Sequence, residues 1–247
     1  MTLIDAAADL FLGYRCPGCD RPGRSLCLAC RAALAAGHVR FVGRDPSPPH
    51  LPLTVAGGDY VGVVPRLVSA FKDEALTGLS GALADRLARA VAHLLAALGR
   101  PGDRYHLVPI PSTAGAVRRR GMDHTAVLAR RVSRQLRQEC GLVLPVRSLL
   151  CMRGRVVDQV GLDAAERWAN KMDHVVVRRC GPAGSVPVLL DDVTTTGASL
   201  AAGARALELA GTPVLGAVVV AATIRRYLPR AKRSGPDGSP SHAAGVA

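Results

Sequence analysis

A chain of 247 residues, 49% of them apolar, has room for one sizeable α/β domain and a small appendage, not for a string of domains. Its 32 Lys and Arg against 19 Asp and Glu leave a net charge of +13, which favours anionic partners such as phosphorylated small molecules or nucleic acid. Aromatic residues make up only 3%, so the core has to come from Ala, Val and Leu, and a platform for stacking single-stranded bases has little to stand on.

Residues 2–13 open the chain with Leu3, Ile4, Ala7, Leu10 and Phe11 on one face of a short amphipathic helix. Asp5 and Asp9 stand where a secretory leader would carry basic residues. The longest apolar run, Val214 to Ile224, is about half of the ~20 residues that a spanning helix needs. The expectation is a cytoplasmic protein without membrane insertion. Four of the seven cysteines then follow close together: Cys16-Pro-Gly-Cys19, seven residues, and Cys27-Leu-Ala-Cys30. Two such knuckles can bring four thiolates onto one tetrahedral ion, and a segment too small for its own core gains from that staple. The site would be structural, because four thiolates leave no open coordination position. A redox dithiol is the competing reading, although one pair suffices for exchange and no thioredoxin-like βαβ surrounds it.

Residues 43–53, with Gly43, Pro46, Ser47, Pro48, Pro49 and Pro52, read as a linker. Regular patterns begin beyond it. Val55 to Tyr60 suits a strand or extended entry; Val64 to Phe71 and Leu79 to Leu98 suit helices, the second broken by Gly99 to Asp103. Tyr105 to Ile110 reads as a buried strand, and Met122 to Gln138 as an Arg-rich helix with Val127, Leu128, Val132 and Leu136 inward. Val175 to Val177, Val186 to Leu190 and Val214 to Val220 read as strands, with Ala198 to Ala210 helical between the last two. Strands alternating with helices imply a parallel sheet covered on both faces. His93, His106 and Trp168 read as packing residues, and the tail after Leu228, rich in Lys, Arg, Gly, Ser and Pro, reads as disordered.

The densest chemistry lies at Val186-Pro-Val-Leu-Leu-Asp-Asp-Val-Thr-Thr-Thr-Gly-Ala-Ser-Leu200. An apolar strand ends in Asp191 and Asp192, and the loop Thr194-Thr195-Thr196-Gly197 opens a helix. Ligands of open α/β sheets bind beyond the carboxyl ends of strands, and free N–H groups at a helix N-terminus favour a phosphate. Two carboxylates beside that cradle can accept hydrogen bonds from a sugar diol, so the segment describes a ribose 5-phosphate site. No Gly-Lys-Ser/Thr and no G-x-G-x-x-G occurs there, which excludes a Walker loop and a dinucleotide fingerprint. A second anion site is offered by Val108-Pro-Ile-Pro111, Ser112, Thr113 and Arg118-Arg119-Arg120-Gly121, since guanidinium forks match phosphate oxygens. A third segment, Arg153-Gly-Arg-Val-Val-Asp-Gln159 through Leu162 to Arg167-Trp-Ala-Asn170 and Lys171, suits either a mobile lid or an ordinary surface crossover.

The acid pair followed by the Thr/Gly loop resembles the motif by which type I phosphoribosyltransferases bind phosphoribosyl pyrophosphate (PRPP). The chain as a whole resembles the ComF-type phosphoribosyltransferase family. The landmarks are the paired cysteine knuckles, Tyr60-Val-Gly62 with Lys72, Val108 to Pro111, Arg120-Gly121, Gln159, Arg167 with Asn170, and Asp191 to Ser199. The resemblance implies a zinc-ribbon-like head over residues 1–42, the linker at 43–53, a type I phosphoribosyltransferase-like domain over 54–228 with helices on both faces of a parallel sheet, and a basic tail over 229–247. Three positions depart from the family pattern: after Arg120-Gly121-Met122 the chain reads Asp123-His124 where the family usually has Asn-Gln, and Val156 stands where the family tends to have Thr. No further C-x-x-C follows Cys30.

The same resemblance implies residue roles. Asp191, Asp192, Val193, Thr194, Thr195, Thr196, Gly197, Ala198 and Ser199 would bind the ribose phosphate. Pro111, Ser112, Arg118, Arg119 and Arg120 would bind the pyrophosphate, with Mg²⁺ bridging it. Asp191, Asp192 and a lid residue, Arg153 or Arg155, would serve catalysis, and Cys16, Cys19, Cys27 and Cys30 would hold Zn²⁺. Transfer of ribose 5-phosphate to an unidentified nucleophile with release of pyrophosphate is the expected reaction. A PRPP sensor without turnover, and an accessory in single-stranded DNA uptake that partners the competence machinery, are the alternatives. No N-terminal cysteine nucleophile is present, which argues against a glutamine-hydrolysing amidotransferase.

Overall fold

The computed structural model describes residues 15–23, 26–43, 47–74, 76–153 and 174–223. The helix expected at 2–13, the lid residues Arg155 to Lys171 and the basic tail lie outside the described residues.

Five strands form the central sheet in the order β1-β2-β7-β6-β3: β1 (Arg40–Val42), β2 (Thr54–Ala56), β3 (Arg104–Pro109), β6 (Ser185–Thr194) and β7 (Gly216–Ala222). The edge strand β1 runs antiparallel to β2, and every other pairing is parallel. The two central strands are near-continuous apolar runs, as strands buried on both faces must be; all of β7 is buried, and Val188, Leu189 and Leu190 of β6 are fully enclosed.

Alternate side chains sort the core into two layers. Leu107, Val188, Leu190, Val218 and Val220 pack with α2 (Val64–Asp73), α3 (Ser80–Leu98) and α5 (His124–Cys140). Val108, Leu189, Ala217 and Val219 pack with Leu200, Ala204 and Leu207 of α6 (Ala198–Leu209). The chain is thus a mixed α/β protein with a mostly parallel sheet, and its core is almost wholly aliphatic.

Several boundaries differ from the sequence expectation for identifiable reasons. β6 does not stop at Leu190 but runs on through both aspartates to Thr194, because Asp191, Val193 and Thr194 keep their register with Val219, Ala221 and Ala222 of β7. Helix α5 starts at His124 rather than Met122, because the Asp123 carboxylate caps it by accepting from the Ala126 N–H at 3.3 Å. A short helix α4 (Ala114–Arg120) fills the space after β3, capped by the Thr113 hydroxyl. β4 (Leu150–Met152) and β5 (Val175–Val177) pair antiparallel in a separate ribbon.

The cysteine-rich segment is not an appendage on a string. Its helix α1 (Leu28–Ala35) lies on α3, and Cys16, Leu26, Cys30 and Leu34 share one apolar cluster with Leu67 of α2. Residues 40–42, which the sequence reading assigns to the head, supply β1 of the main sheet. Beside this junction Arg86 of α3 is buried, its Nε donating to the Gly57 carbonyl at 2.8 Å. That bond ties the turn after β2, which leads to Tyr60, to the helical layer.

Candidate functional site

The carboxyl ends of β3 and β6 point the same way, and the turns that leave them face each other across a cavity of about 410 Å³. From β6 and its turn come Asp191 to Leu200; from β3 come Ile110 to Thr113; α4 adds Arg120, α5 adds His124 and Thr125, and Tyr60 and Lys72 close the side. Of the residues singled out in the sequence, Asp191, Asp192, Val193, Thr194, Thr195, Thr196, Gly197, Ala198, Ser199, Pro111, Ser112 and Arg120 share this wall. Arg118 and Arg119 are exposed on α4 and Arg153 is exposed at the end of β4, where its N–H donates to the His174 carbonyl at 2.7 Å; none of the three lines the cavity.

The β6–α6 turn is built for a tight reversal. Thr195 and Thr196 are exposed, and Gly197 takes a left-handed conformation with φ 81°. A Cβ at Gly197 would also stand 2.8 Å from Leu51 Cδ1. Gly197→Ala is therefore expected to cost about 1–2 kcal/mol from the backbone alone, plus crowding. Denaturant unfolding of Gly197→Ala with and without Leu51→Ala separates the two, because only the crowding is relieved by the second change.

The two aspartates have different surroundings. Each accepts the next backbone N–H, Asp191 from Asp192 at 2.9 Å and Asp192 from Val193 at 2.6 Å, which pins both carboxylates to the strand end. Asp191 is half-buried at the cavity wall. Asp192 is 3% exposed, and its Oδ2 meets Lys72 Nζ at 2.6 Å and His124 Nε2 at 2.9 Å. Burial alone would raise the Asp192 pKa; the His124 hydrogen bond and the Lys72 charge outweigh it and hold the carboxyl at about 2. Burial likewise works against the Lys72 ammonium, and the Asp192 charge reverses the balance and raises its pKa.

Around this triad the polar groups continue outward. His124 Nδ1 lies 3.3 Å from Ser112 Oγ, and Ser112 Oγ lies 3.4 Å from Asp123 Oδ1. The Thr125 hydroxyl is shared between the Ile110 carbonyl at 2.8 Å and Asp123 at 2.9 Å, which fixes the β3 turn to the start of α5. Arg120 reaches Asp73 at 3.0 Å, so the end of α2 grips both walls, with Lys72 on β6 and Asp73 on α4. Lys72 enters the sequence reading only as a landmark of resemblance, and His124 only as a departure.

Both residues carried a legible signal. Val64, Val68 and Lys72 stand at four-residue steps on α2, as His124, Leu128, Val132 and Leu136 do on α5. A titratable residue that continues an apolar stripe is carried towards the core, where it needs a charged partner.

The second candidate centre is the cysteine cluster. The sulfurs of Cys16, Cys19, Cys27 and Cys30 all lie within 4.8 Å of one another, and those of Cys19 and Cys27 are 3.7 Å apart. A tetrahedron with Zn–S bonds of about 2.3 Å has edges of ~3.8 Å, so the donor set and spacing fit that ion. The Cys27 and Cys30 N–H groups aim at Cys16 and Cys27 sulfurs, each at 3.4 Å. Burial would raise the Cys16 pKa, but the N–H groups of Cys27, Gly18 and Cys19 bring it down to about 6, whereas burial and the neighbouring thiols push Cys30 up. Four thiols this close therefore ionise together only with a cation among them. A Cβ at Gly18 would fall 2.7 Å from Cys30 Sγ, so the knuckle requires glycine for space.

Among the described residues no helix is long and apolar enough to cross a membrane. Another cavity of about 410 Å³ lies at the amino ends of β3 and β6, walled by Leu142, Leu144, Pro145 and Pro182; it sits away from the strand ends where α/β sheets hold ligands. Comparison with known proteins leaves the site to be read from its own geometry: no family model matches the chain, and no curated protein matches it.

Proposed function

We propose that this chain is a type I phosphoribosyltransferase-like protein that binds PRPP and transfers its ribose 5-phosphate group to a nucleophile, releasing pyrophosphate. The observation that supports this best is the pairing of two anion-binding features across one cavity. The Thr194–Gly197 turn opens α6 with the half-buried Asp191 beside it, and Thr113 and Arg120 face them from the next strand end. The turn would take the 5-phosphate through N–H groups and hydroxyls. Asp191 would accept from the ribose diol. Arg120, Lys72 and the start of α4 would face the pyrophosphate.

Asp192 takes a different part in this reading from its neighbour. With Lys72 and His124 on one oxygen and the Val193 N–H on the other, it anchors the Lys72 ammonium and the His124 ring beside the site rather than offering both oxygens to a diol. Mg²⁺ would supply screening of the pyrophosphate charge at this site, with Asp191 the half-buried carboxylate on the cavity wall and phosphate and water oxygens its preferred ligands. The chain's own contribution is positioning and charge stabilisation of the ribosyl cation as pyrophosphate leaves.

Calorimetry with PRPP and Mg²⁺ tests the reading. Asp191→Asn is expected to weaken PRPP binding at least tenfold while leaving the unfolding midpoint nearly unchanged, since its side chain is half exposed. Unaltered affinity in that variant would remove the diol assignment, and absence of PRPP binding by the wild type would remove the function. Binding without pyrophosphate release would select the sensor reading.

A further inference from the structure

We propose that Ser112, His124 and Asp192 form a proton relay that takes the proton of the incoming nucleophile, so that the acceptor is a group carrying a proton it must lose, such as an amide or heterocyclic N–H or a hydroxyl. The proposal rests on the phosphoribosyl-transfer reading and adds to it the class of acceptor and the route of its proton. It stands on three residues from three elements: Ser112 on the turn after β3, His124 at the first position of α5, and Asp192 at the end of β6.

The charge next to His124 assigns its tautomer. Asp192 is ionised and its Oδ2 makes a 2.9 Å ion-pair contact with His124 Nε2, and a carboxylate that close favours the hydrogen on the nitrogen facing it. A neutral imidazole then has its lone pair on Nδ1, which faces Ser112 Oγ at 3.3 Å on the cavity wall. A buried carboxylate behind an imidazole orients it and stabilises the imidazolium that forms when it accepts a proton. Asp192 does not itself take the proton, because Lys72 at 2.6 Å keeps it charged.

The hydroxyl has a place to turn in each state. While His124 is neutral, Ser112 donates to Nδ1. Once His124 is charged, Nδ1–H donates to Ser112 Oγ, and the Ser112 hydrogen turns to Asp123 Oδ1, 3.4 Å away. Asp123 is fixed for this by the Thr125 hydroxyl at 2.9 Å and the Ala126 N–H at 3.3 Å. The ionisable groups around His124 are Asp192 from β6, Lys72 from α2 behind that carboxylate, and Asp123 at its own helix start; Asp191, Arg120 and Tyr60 line the same cavity.

In the step itself the bond from the ribose anomeric carbon to pyrophosphate breaks, and its electron pair leaves on the pyrophosphate oxygen. The bond from that carbon to the acceptor atom forms. The acceptor proton passes to Ser112 Oγ as the Ser112 proton passes to His124 Nδ1, and the imidazolium later releases it to solvent. With water as acceptor the products are ribose 5-phosphate, pyrophosphate and one proton.

Pyrophosphate release from PRPP and Mg²⁺ is the readout, with water as the protic acceptor and sodium azide as an acceptor with no proton to lose. His124→Gln, which leaves Lys72 to neutralise Asp192, is expected to bind PRPP within about twofold of wild type by calorimetry. Its water-supported release is expected to fall at least thirtyfold. Azide-supported release should fall at least tenfold less than water-supported release in both His124→Gln and Ser112→Ala. Equal losses with water and azide would mean a merely structural role and overturn the relay, as would water-supported release in His124→Gln matching the wild type, or a wild type that binds PRPP yet releases pyrophosphate with neither acceptor. Failure of the wild type to bind PRPP at all would remove the underlying reading instead. Ser112→Ala, a small change at a half-exposed position, covers the case in which His124→Gln does not fold.

Discussion

Asp192→Asn is expected to lower folding stability by about 3 kcal/mol, whereas Asp191→Asn leaves it nearly intact. Removing one partner of a buried ion pair costs roughly 3–5 kcal/mol, and the value belongs at the lower end here because the Lys72 side chain keeps 28% exposure. Water can reach the stranded ammonium, though it cannot reach the site of the lost charge, which is buried. The same residue gives the protein an acid-sensitive stability. Its folded pKa of about 2 lies below the ordinary 3.8, so its contribution is fully present above pH ~4 and is lost as pH falls from about 4 to about 2, to the extent of roughly 2 kcal/mol. Urea unfolding at pH 7, 4 and 2.5 should show that loss in the wild type and a flatter acid limb in Asp192→Asn. An Asp192→Asn protein as stable as wild type at pH 7 would contradict the ion triad.

Removal of metal from the cysteine cluster is the second large effect. One Zn²⁺ per chain is expected by elemental analysis of gently purified protein. Structural zinc in isolated fingers is worth about 10–16 kcal/mol of apparent binding energy, most of which is folding energy of the ligand loops. Here the loops share their apolar cluster with α2 and α3, so chelation should unfold residues 15–36 locally and lower the thermal midpoint by at least ~10 °C rather than denature the whole chain. Cys30→Ser, at the most enclosed thiol of the helix α1 pair, should do the same without chelator. Limited proteolysis locates the change: cleavage confined to the first forty or so residues (roughly the cysteine-rich segment) is the expected pattern. Metal-free protein with an unchanged midpoint would rule out a structural ion.

Much of this architecture was legible because apolar runs and turn residues are local signals. The runs at Tyr105, Val186 and Val214 each became a strand of the main sheet, and the helix starting near Ser80 and that ending near Gln138 fall within a few residues of expectation. The paired C-x-x-C spacing foretold a cluster of four sulfurs, which the fold brings together. Local patterns say less about where an element stops when its neighbour decides it. Val193 and Thr194 are strand because β7 pairs with them, not because of their own preference. The three-residue β1 owes its existence to the edge of β2, which lies beyond a proline-rich stretch. The burial of Asp192 was hidden in the same way. Its partners are 120 residues upstream at Lys72 and 68 upstream at His124, and only the assembled layers show that one aspartate of the pair faces charged neighbours while the other faces the cavity.

Helix α2 has one end on each of the two centres. Arg66 and Leu67 in its first turn touch the Gly18 knuckle, Arg66 Nη1 reaching the Gly18 carbonyl at 3.5 Å, and Lys72 and Asp73 in its last turn brace the two cavity walls. A helix of ten residues spans only ~15 Å and is stiff over that length. Loosening the sulfur cluster is therefore expected to disturb the seat of Lys72, and by reciprocity a change at Lys72 should alter the thermal effect of chelation. On the proposed reading, a metal among the sulfurs and an anion in the cavity would both pull on a single mechanical strut.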